Sequence, residues 1–370
     1  MDRASWVFDI PCKNDKIKRK GGGQPPEDIE NFLVRKENFG TLYYAKSRTP
    51  VFRESYFVEN ESKVPNAQFI LSAPILAILE ITGKCNLNCI HCYRPEDKKE
   101  KTLELDVVKN LLSELKEMSV VGIQYMGGEP FLHKDLPKML KESKKSEFKN
   151  EVITNGYKIS ESTIEECSDL IDGVFISIDG KKETHNKIRQ APDSFESAIK
   201  TLKGFSERDV YTTIVMTLNK LNYGDVEEIY DIVSSFGARE LFLKRMLPVG
   251  RGKEHNDLYL GGGVISELEN RVKIVLNDKT KVLFGARCVE PTGAYTFFGC
   301  PGGRTQIVID CDGEVYKCLY KKDPNSYLGN IHNEPFRKIW NRNNETLENC
   351  DCTYSDRCGG LCELSQKPIC

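Results

Sequence analysis

The stretch that decides the fold is Ile75-Leu76-Ala77-Ile78-Leu79-Glu80-Ile81 followed closely by Cys85-Asn86-Leu87-Asn88-Cys89-Ile90-His91-Cys92-Tyr93. A short apolar run of this kind reads as a buried strand, and it hands the chain to a loop spacing three cysteines as CxxxCxxC. Three thiolates at that spacing can ligate three irons of a 4Fe–4S cluster and leave the fourth iron open. An open iron can chelate a small molecule, as the open position of a catalytic zinc does. A zinc knuckle would want a fourth Cys or His at short spacing, and His91 is too close to Cys92 to complete a tetrahedron easily.

Working downstream, strand and helix patterns alternate. Asp106 to Met118 places Val107, Val108, Leu111, Leu112, Leu115 and Met118 on one helical face. Gly122 to Met126 is strand-like, and Leu136 to Ser146 is helical in composition. Glu151 to Thr154 is a short strand stopped by Asn155-Gly156. Ser160 to Leu170 is helical, and Val174 to Ile178 is an apolar strand ended by Asp179-Gly180. Ser194 to Phe205 (helix), Tyr211 to Thr217 (strand), Val226 to Phe236 (helix) and Leu241 to Arg245 (strand) complete the series. About six βα units imply a parallel sheet with helical crossovers. In about 175 residues they fit a partial barrel better than a closed eight-unit one. Chemistry in such sheets sits at the C-terminal ends of the strands.

The whole chain has 370 residues, 39% apolar and 29% charged, which excludes gross disorder. Its 53 basic and 55 acidic residues give a net charge of −2, which argues against binding nucleic acid or a membrane surface by bulk electrostatics. No apolar run approaches the roughly 18 to 20 residues of a membrane span. The first twenty residues lack the apolar core of a signal peptide, so a cytoplasmic location is expected. There are 14 cysteines: Cys12 and Cys167 stand alone, three form the tight group, and nine fall between Cys288 and Cys370. Disulfides do not persist in a reducing compartment, so the spacing points to metal clusters. Lys13, Lys16, Lys18, Arg19 and Lys20 precede Gly21-Gly22-Gly23 and Pro25-Pro26, which reads as a flexible linker. Phe32 to Tyr44 and Val51 to Val58 look like paired strands. The expected division is an N-terminal extension over 1–74, a candidate peptide-docking segment, then a core over 75–255 and a cysteine-rich domain over 256–370.

The CxxxCxxC loop, with Gly127-Gly128-Glu129-Pro130 after the second strand, resembles the radical S-adenosylmethionine (SAM) enzymes. The resemblance implies that the GGEP turn contacts the amino group of the SAM methionine. It also implies that Ser177 and Arg189, twelve residues apart, hold the ribose and carboxylate. A guanidinium suits a carboxylate because its planar fork can bind both oxygens. Asn155 and Asp179, at the third and fourth strand ends, are further candidates, and His91 and Tyr93 are expected near the adenine. Leu247, in Leu247-Pro248-Val249-Gly250-Arg251-Gly252, is expected to border the nucleoside. His133, His185, His255 and His332 show no ligand spacing. The implied chemistry is one-electron cleavage of SAM to methionine and a 5′-deoxyadenosyl radical, which abstracts hydrogen from an unactivated carbon. The cofactor carries the chemistry, and the protein orients the substrate and excludes water.

In the tail, Cys300 is followed by twelve residues, Gly313, four residues and Cys318; then come Cys350, Cys352, Cys358, Cys362 and Cys370. This resembles the SPASM extension of radical SAM enzymes, as do Gly329-Asn330-Ile331 and Ile339-Trp340, with one departure: a single residue separates Cys350 from Cys352. That extension implies two auxiliary 4Fe–4S clusters beside the SAM cluster. The first would take Cys300, Cys318 and Cys362, with Cys288 as fourth ligand and Cys311 as competitor. The second would take Cys350, Cys352, Cys358 and Cys370. The fold class expected is therefore α/β, a partial (β/α)6 barrel of radical SAM type with a small cysteine-rich SPASM domain.

SPASM enzymes mostly act on peptides or proteins, so the resemblance implies maturation of a ribosomally made precursor peptide (a RiPP), by oxidative crosslinking or another backbone or side-chain change. A radical SAM enzyme of tetrapyrrole (haem) biosynthesis is the alternative. A sulfatase maturase is disfavoured because Leu319, and not Asp, follows Cys318. A non-catalytic iron–sulfur electron carrier would explain the cysteines but not GGEP, Ser177 or Arg189. A flavodoxin- or ferredoxin-type reductant is implied. Residues 1–74 lack a clear three-helix recognition domain, so a separate peptide-recognition protein is a candidate partner.

Overall fold

The computed structural model describes residues 29–37, 40–51, 55–59, 71–94, 101–261, 280–285 and 301–348, with isolated positions between 263 and 271. Three antiparallel strands come first: β1 (Phe32–Glu37), β2 (Gly40–Ala45) and β3 (Ser55–Glu59). The stretch from Phe32 to Tyr44, expected as one strand, is instead a tight hairpin of β1 and β2.

β4 (Leu76–Thr82) is buried along its whole length, as a parallel strand covered on both faces must be. From it the chain runs through α1 (Leu105–Glu117), β5 (Gly122–Gly127), α2 (Leu136–Lys145), β6 (Lys149–Thr154), α3 (Glu161–Ser168) and β7 (Gly173–Ser177). It continues with α4 (Lys182–Arg189), α5 (Ser194–Ser206), β8 (Tyr211–Leu218), α6 (Val226–Ser235), β9 (Glu240–Arg245) and β10 (Lys281–Gly285). β11 (Gln306–Ile309), β12 (Glu314–Tyr316), β13 (Tyr327–Asn330) and α7 (Phe336–Glu348) close the described chain.

β4 to β10 pair in sequence order, all parallel. The six expected strands are therefore joined by a seventh, β10, beyond the expected boundary at 255, and α4 is a helix the periodicity did not reveal. The sheet is open, with β10 and β13 at its edges. On the other side of β4 lies β11, also parallel to it, so the strand leading to the three cysteines is an interior strand flanked by β5 and β11.

The helices lay apolar stripes on this sheet. α1 buries Val108, Leu111, Leu112 and Leu115, and α5 buries Ala198, Leu202 and Phe205. Each such Val, Leu or Phe side chain contributes about 1.5 to 3 kcal/mol by leaving water. α3 is capped by Ser160, whose Oγ accepts from the Thr163 N–H at 3.1 Å.

Residues 47–51 cover the N-terminal ends of β5 to β7, opposite the ends where chemistry is expected. Lys149 Nζ donates to the carbonyls of Ser47 and Thr49, each at 2.9 Å, and Val51 N–H donates to Glu151 Oε1 at 2.8 Å. Val51 packs where a Cβ on Gly122 would stand, 2.3 Å from Val51 Cγ2. Arg35 of β1 donates to the carbonyls of Ala73 and Pro74, just before β4. The described part of the N-terminal extension thus closes the floor of the barrel.

Candidate functional site

At the C-terminal ends of the strands lies a cavity of about 750 Å³. Cys85, Cys89 and Cys92 all line it, on the loop that β4 delivers. Cys89 is buried, Cys92 is half-buried and Cys85 is exposed.

Neighbouring backbone holds this loop in place. Gly128 N–H donates to Thr82 O and Glu129 N–H to Lys84 O, each at 2.7 Å, so the GGEP turn runs alongside residues 82–84. A Cβ on Gly128 would stand 2.0 Å from Lys84 O, and one on Gly127, whose φ is +145°, would stand 2.3 Å from Thr82 O. The two glycines are required by contact between chain segments, before any ligand is considered. On the far side Arg251 grips the loop: its N–H donates to Cys92 O and its Nε to Cys89 O, each at 2.9 Å.

The Glu129 carboxylate is buried and does not line the cavity. Oε1 accepts from Thr154 Oγ1 at 2.7 Å and from Phe131 N–H at 3.2 Å, and Oε2 accepts from Asn155 N–H at 2.8 Å. Burial pushes its pKa up to about 7, although those donors favour the ionised form. What the turn presents to the cavity is the backbone of Gly127 and Gly128. Pro130 is buried and does not line the cavity.

Asp179 is a buried hub. Oδ2 lies 2.7 Å from His91 Nε2 and 2.6 Å from Arg189 Nη2, Oδ1 accepts from Thr217 N–H at 2.7 Å, and its own N–H donates to His185 Nδ1 at 3.0 Å. Burial alone would raise its pKa, but Arg189 and then His91 outweigh that and hold it well below the usual carboxylate range. Burial, reinforced by Arg189, lowers His185 to about 3. Arg189 also donates to Cys89 Sγ at 3.6 Å, and its buried Nε has no hydrogen-bond partner among the described residues. Asn155 Nδ2 donates to Cys85 Sγ at 3.7 Å and to Asn86 Oδ1 at 2.9 Å.

Of the expected SAM contacts, His91, Tyr93, Gly127, Gly128, Asn155, Ser177, Arg189 and Leu247 therefore line one cavity, while Glu129, Pro130 and Asp179 support it from behind. His133 is a satisfied buried histidine bonded to Leu103 O and to the Asp135 N–H. The donor set fits an iron–sulfur cluster with a small zwitterionic ligand: three thiol ligands on one loop, N–H donors to two of the sulfurs, and a guanidinium with an unfilled donor. Burial pushes the Cys89 thiol up to about 11 against the opposing Arg189 charge, so its thiolate needs a further positive partner such as iron.

Several lining residues were not among the expected site residues: Thr217, Lys244, Arg245, Leu319 and Tyr320. The last two follow Cys318, and the Tyr320 ring meets that of Tyr93 edge-on, centroids 5.5 Å apart. Beside them Glu80 of β4 is fully buried, accepts from Tyr93 Oη at 2.9 Å, and is ion-paired with Lys322. Cys318 and Cys311 are described, Cys311 being buried. The other expected auxiliary ligands, Cys288, Cys300, Cys350, Cys352, Cys358, Cys362 and Cys370, lie outside the described residues. No helix among the described residues is long and apolar enough to cross a membrane.

Residues 79–233 match the Radical SAM superfamily, and residues 300–363 match an iron-sulfur cluster-binding domain, SPASM. Fe-coproporphyrin III synthase of Methanosarcina barkeri is 25% identical over 72% of this chain and 64% of its own length. Mycofactocin maturase MftC of Mycolicibacterium smegmatis is 27% identical over 79% of each. Among solved structures, Streptococcus suis SuiB bound to S-adenosylmethionine superposes with a TM-score of 0.71 at 15% identity, covering 90% of this chain and 95% of that one. The same protein bound to its precursor peptide SuiA gives 0.68.

Proposed function

Because the chain is a radical SAM enzyme with a SPASM domain, we propose that it is a peptide maturase acting on a ribosomally made precursor. One observation carries the reading. The cysteine loop and the residues directly after Cys318 wall the same cavity, so a substrate there is held between the two iron–sulfur regions.

Cys85, Cys89 and Cys92 would hold the SAM cluster. Cys300, Cys318 and Cys362, with Cys288 or Cys311, would hold the first auxiliary cluster, and Cys350, Cys352, Cys358 and Cys370 the second. When bound, the cluster would supply the electron for reductive cleavage of SAM, the source of the hydrogen-abstracting chemistry. Arg189 and Asn155 donate to the ligand sulfurs. Arg189 binds the methionine carboxylate while Asp179 fixes its guanidinium. The backbone of Gly127 and Gly128 receives the ammonium, and Ser177 the ribose. Met126, Leu247, Val249 and Leu319 exclude water from the reacting carbon. A flavodoxin- or ferredoxin-type protein supplies electrons, and a separate recognition protein assists peptide docking.

A tetrapyrrole substrate is the second reading. It is favoured by the cavity's charge, since its lining includes lysine and arginine but, among the described residues, no Asp or Glu.

The test is anaerobic reconstitution with SAM and dithionite, with and without candidate precursor peptides. The expected result is 5′-deoxyadenosine from the wild type, none from Cys89→Ala, and a peptide lighter by a pair of hydrogens per site. Peptide left unchanged in mass and chirality, with turnover of a coproporphyrin instead, would transfer the assignment to the second reading.

A further inference from the structure

The cavity charges are not equally satisfied. Arg189 has Asp179 at 2.6 Å, Arg94 has Glu80 at 3.8 Å, and Arg251 is engaged by Cys89 O at 2.9 Å. Lys244 and Arg245, at the C-terminal end of β9, differ. Lys244 Nζ reaches only Tyr320 Oη, at 3.4 Å, and stands 5.5 Å from the centre of the Phe242 ring. Arg245 Nη2 reaches only Leu260 O, at 3.4 Å. Neither has a carboxylate partner among the described residues, yet both are half-buried in a concave wall. A partly desolvated cation without a counterion is costly, and a bound anion offsets that cost.

We propose that Lys244, Arg245 and Tyr320 form a subsite for a carboxylate of the substrate. The inference deepens the maturase reading and rests on this cavity being the substrate site. The ammonium supplies a point charge, the guanidinium a planar fork, and the phenol a neutral donor. The SAM carboxylate is assigned to Arg189, beside Cys89. The subsite adjoins both iron–sulfur regions: Tyr320 lies two positions beyond Cys318, and its ring packs against Tyr93, next to Cys92. A carboxylate anchored there sets an adjoining carbon between them. A peptide offers such a group as an Asp, Glu or C-terminal carboxylate, and a tetrapyrrole offers it as a propionate.

Holoenzyme with SAM present throughout is titrated with two probe pairs. One is Fe-coproporphyrin III against its tetramethyl ester, read from the Soret band. The other is a short fluorescent glutamate-rich peptide against its glutamine counterpart, read by anisotropy. In at least one pair the acid should bind about ten-fold tighter or more than its neutral form, and that pair identifies the source. Lys244→Met with Arg245→Met should bring the acid-to-neutral ratio close to one, and Lys244→Arg should keep it. Absence of acid preference in both pairs, or its survival in the double variant, overturns the proposal. If the double variant binds neither form, the single variants decide: the proposal stands only if Lys244→Met lowers the ratio and Lys244→Arg keeps it. Wild-type 5′-deoxyadenosine, formed when dithionite is added to a parallel portion of the same holoenzyme and SAM, reports separately on the activity. Acid preference without SAM cleavage would sink the enzymatic reading alone; cleavage without preference would sink the subsite alone.

Discussion

Arg189 Nη2 lies 2.6 Å from Asp179 Oδ2, and the same guanidinium reaches Cys89 Sγ at 3.6 Å. One residue of α4 thereby ties the end of β7 to the cysteine loop. Asp179→Asn leaves Arg189 buried without its counterion. Breaking a buried pair from one side costs about 3 to 5 kcal/mol, so the urea midpoint of the variant should fall sharply, and SAM cleavage with it. In the wild type the depressed Asp179 pKa contributes stability above the ordinary carboxylate range, lost as pH falls below about 4. The variant should lack that acid-dependent component.

Glu129 acts in the opposite direction. Burial raises its pKa to about 7, so the folded state binds a proton that the unfolded state has released. Its contribution is largest below about pH 4 and fades as pH rises through 7, by about 3 kcal/mol at most. Denaturant melts at pH 5, 6, 7 and 8 should show this decline in the wild type. Glu129→Gln should flatten it while lowering stability overall, since the amide nitrogen cannot accept from Asn155 N–H.

Gly128 and Gly224 make a matched pair. A Cβ on Gly128 meets the backbone oxygens of Lys84 and Gly83 at 2.0 and 2.6 Å, whereas a Cβ on Gly224 meets nothing within 4 Å. Gly128→Ala should displace the cysteine loop and lose iron on reconstitution, measured as iron per chain. Gly224→Ala should stay within about 0.5 kcal/mol of the wild type.

Lys322 and Glu80 join the C-terminal region to β4, the Glu80 side chain being fully buried. Lys322→Met leaves that carboxylate with Tyr93 and Arg94 alone, and stability should fall by about 3 to 5 kcal/mol at most. Adding Glu80→Gln should recover part of the loss. Strictly additive effects in that cycle would mean that the two residues do not interact.

The alternation of apolar strands and amphipathic helices made the parallel core legible, because strands covered on both faces carry their burial in their own composition. β11 was hidden because Gln306–Ile309 is four residues long and becomes a strand through its pairing with β4. β10 was hidden for the same reason. At the site, cysteine spacing and the GGEP turn announced themselves, and eight of eleven expected SAM contacts line the cavity. The roles of Glu129 and Asp179 were not legible, because whether a carboxylate faces a ligand or braces a wall depends on which backbone N–H groups surround it. Lys244, Arg245 and Tyr320 belong to no motif and become neighbours only through the order of the strands. One signal was available: Glu80 interrupts an otherwise apolar run, and a charge there needs a partner.

The parallel pairing of β11 with β4 has a consequence for synthesis on the ribosome. The strand carrying the cysteine loop emerges more than 220 residues before the neighbour that completes its hydrogen bonding. Until Gln306–Ile309 clears the exit tunnel, the nascent chain exposes an unpaired strand edge and a Glu80 without its lysine. A chain stopped before about residue 300 keeps that open edge permanently, so it should be recovered in inclusion bodies or bound to chaperones.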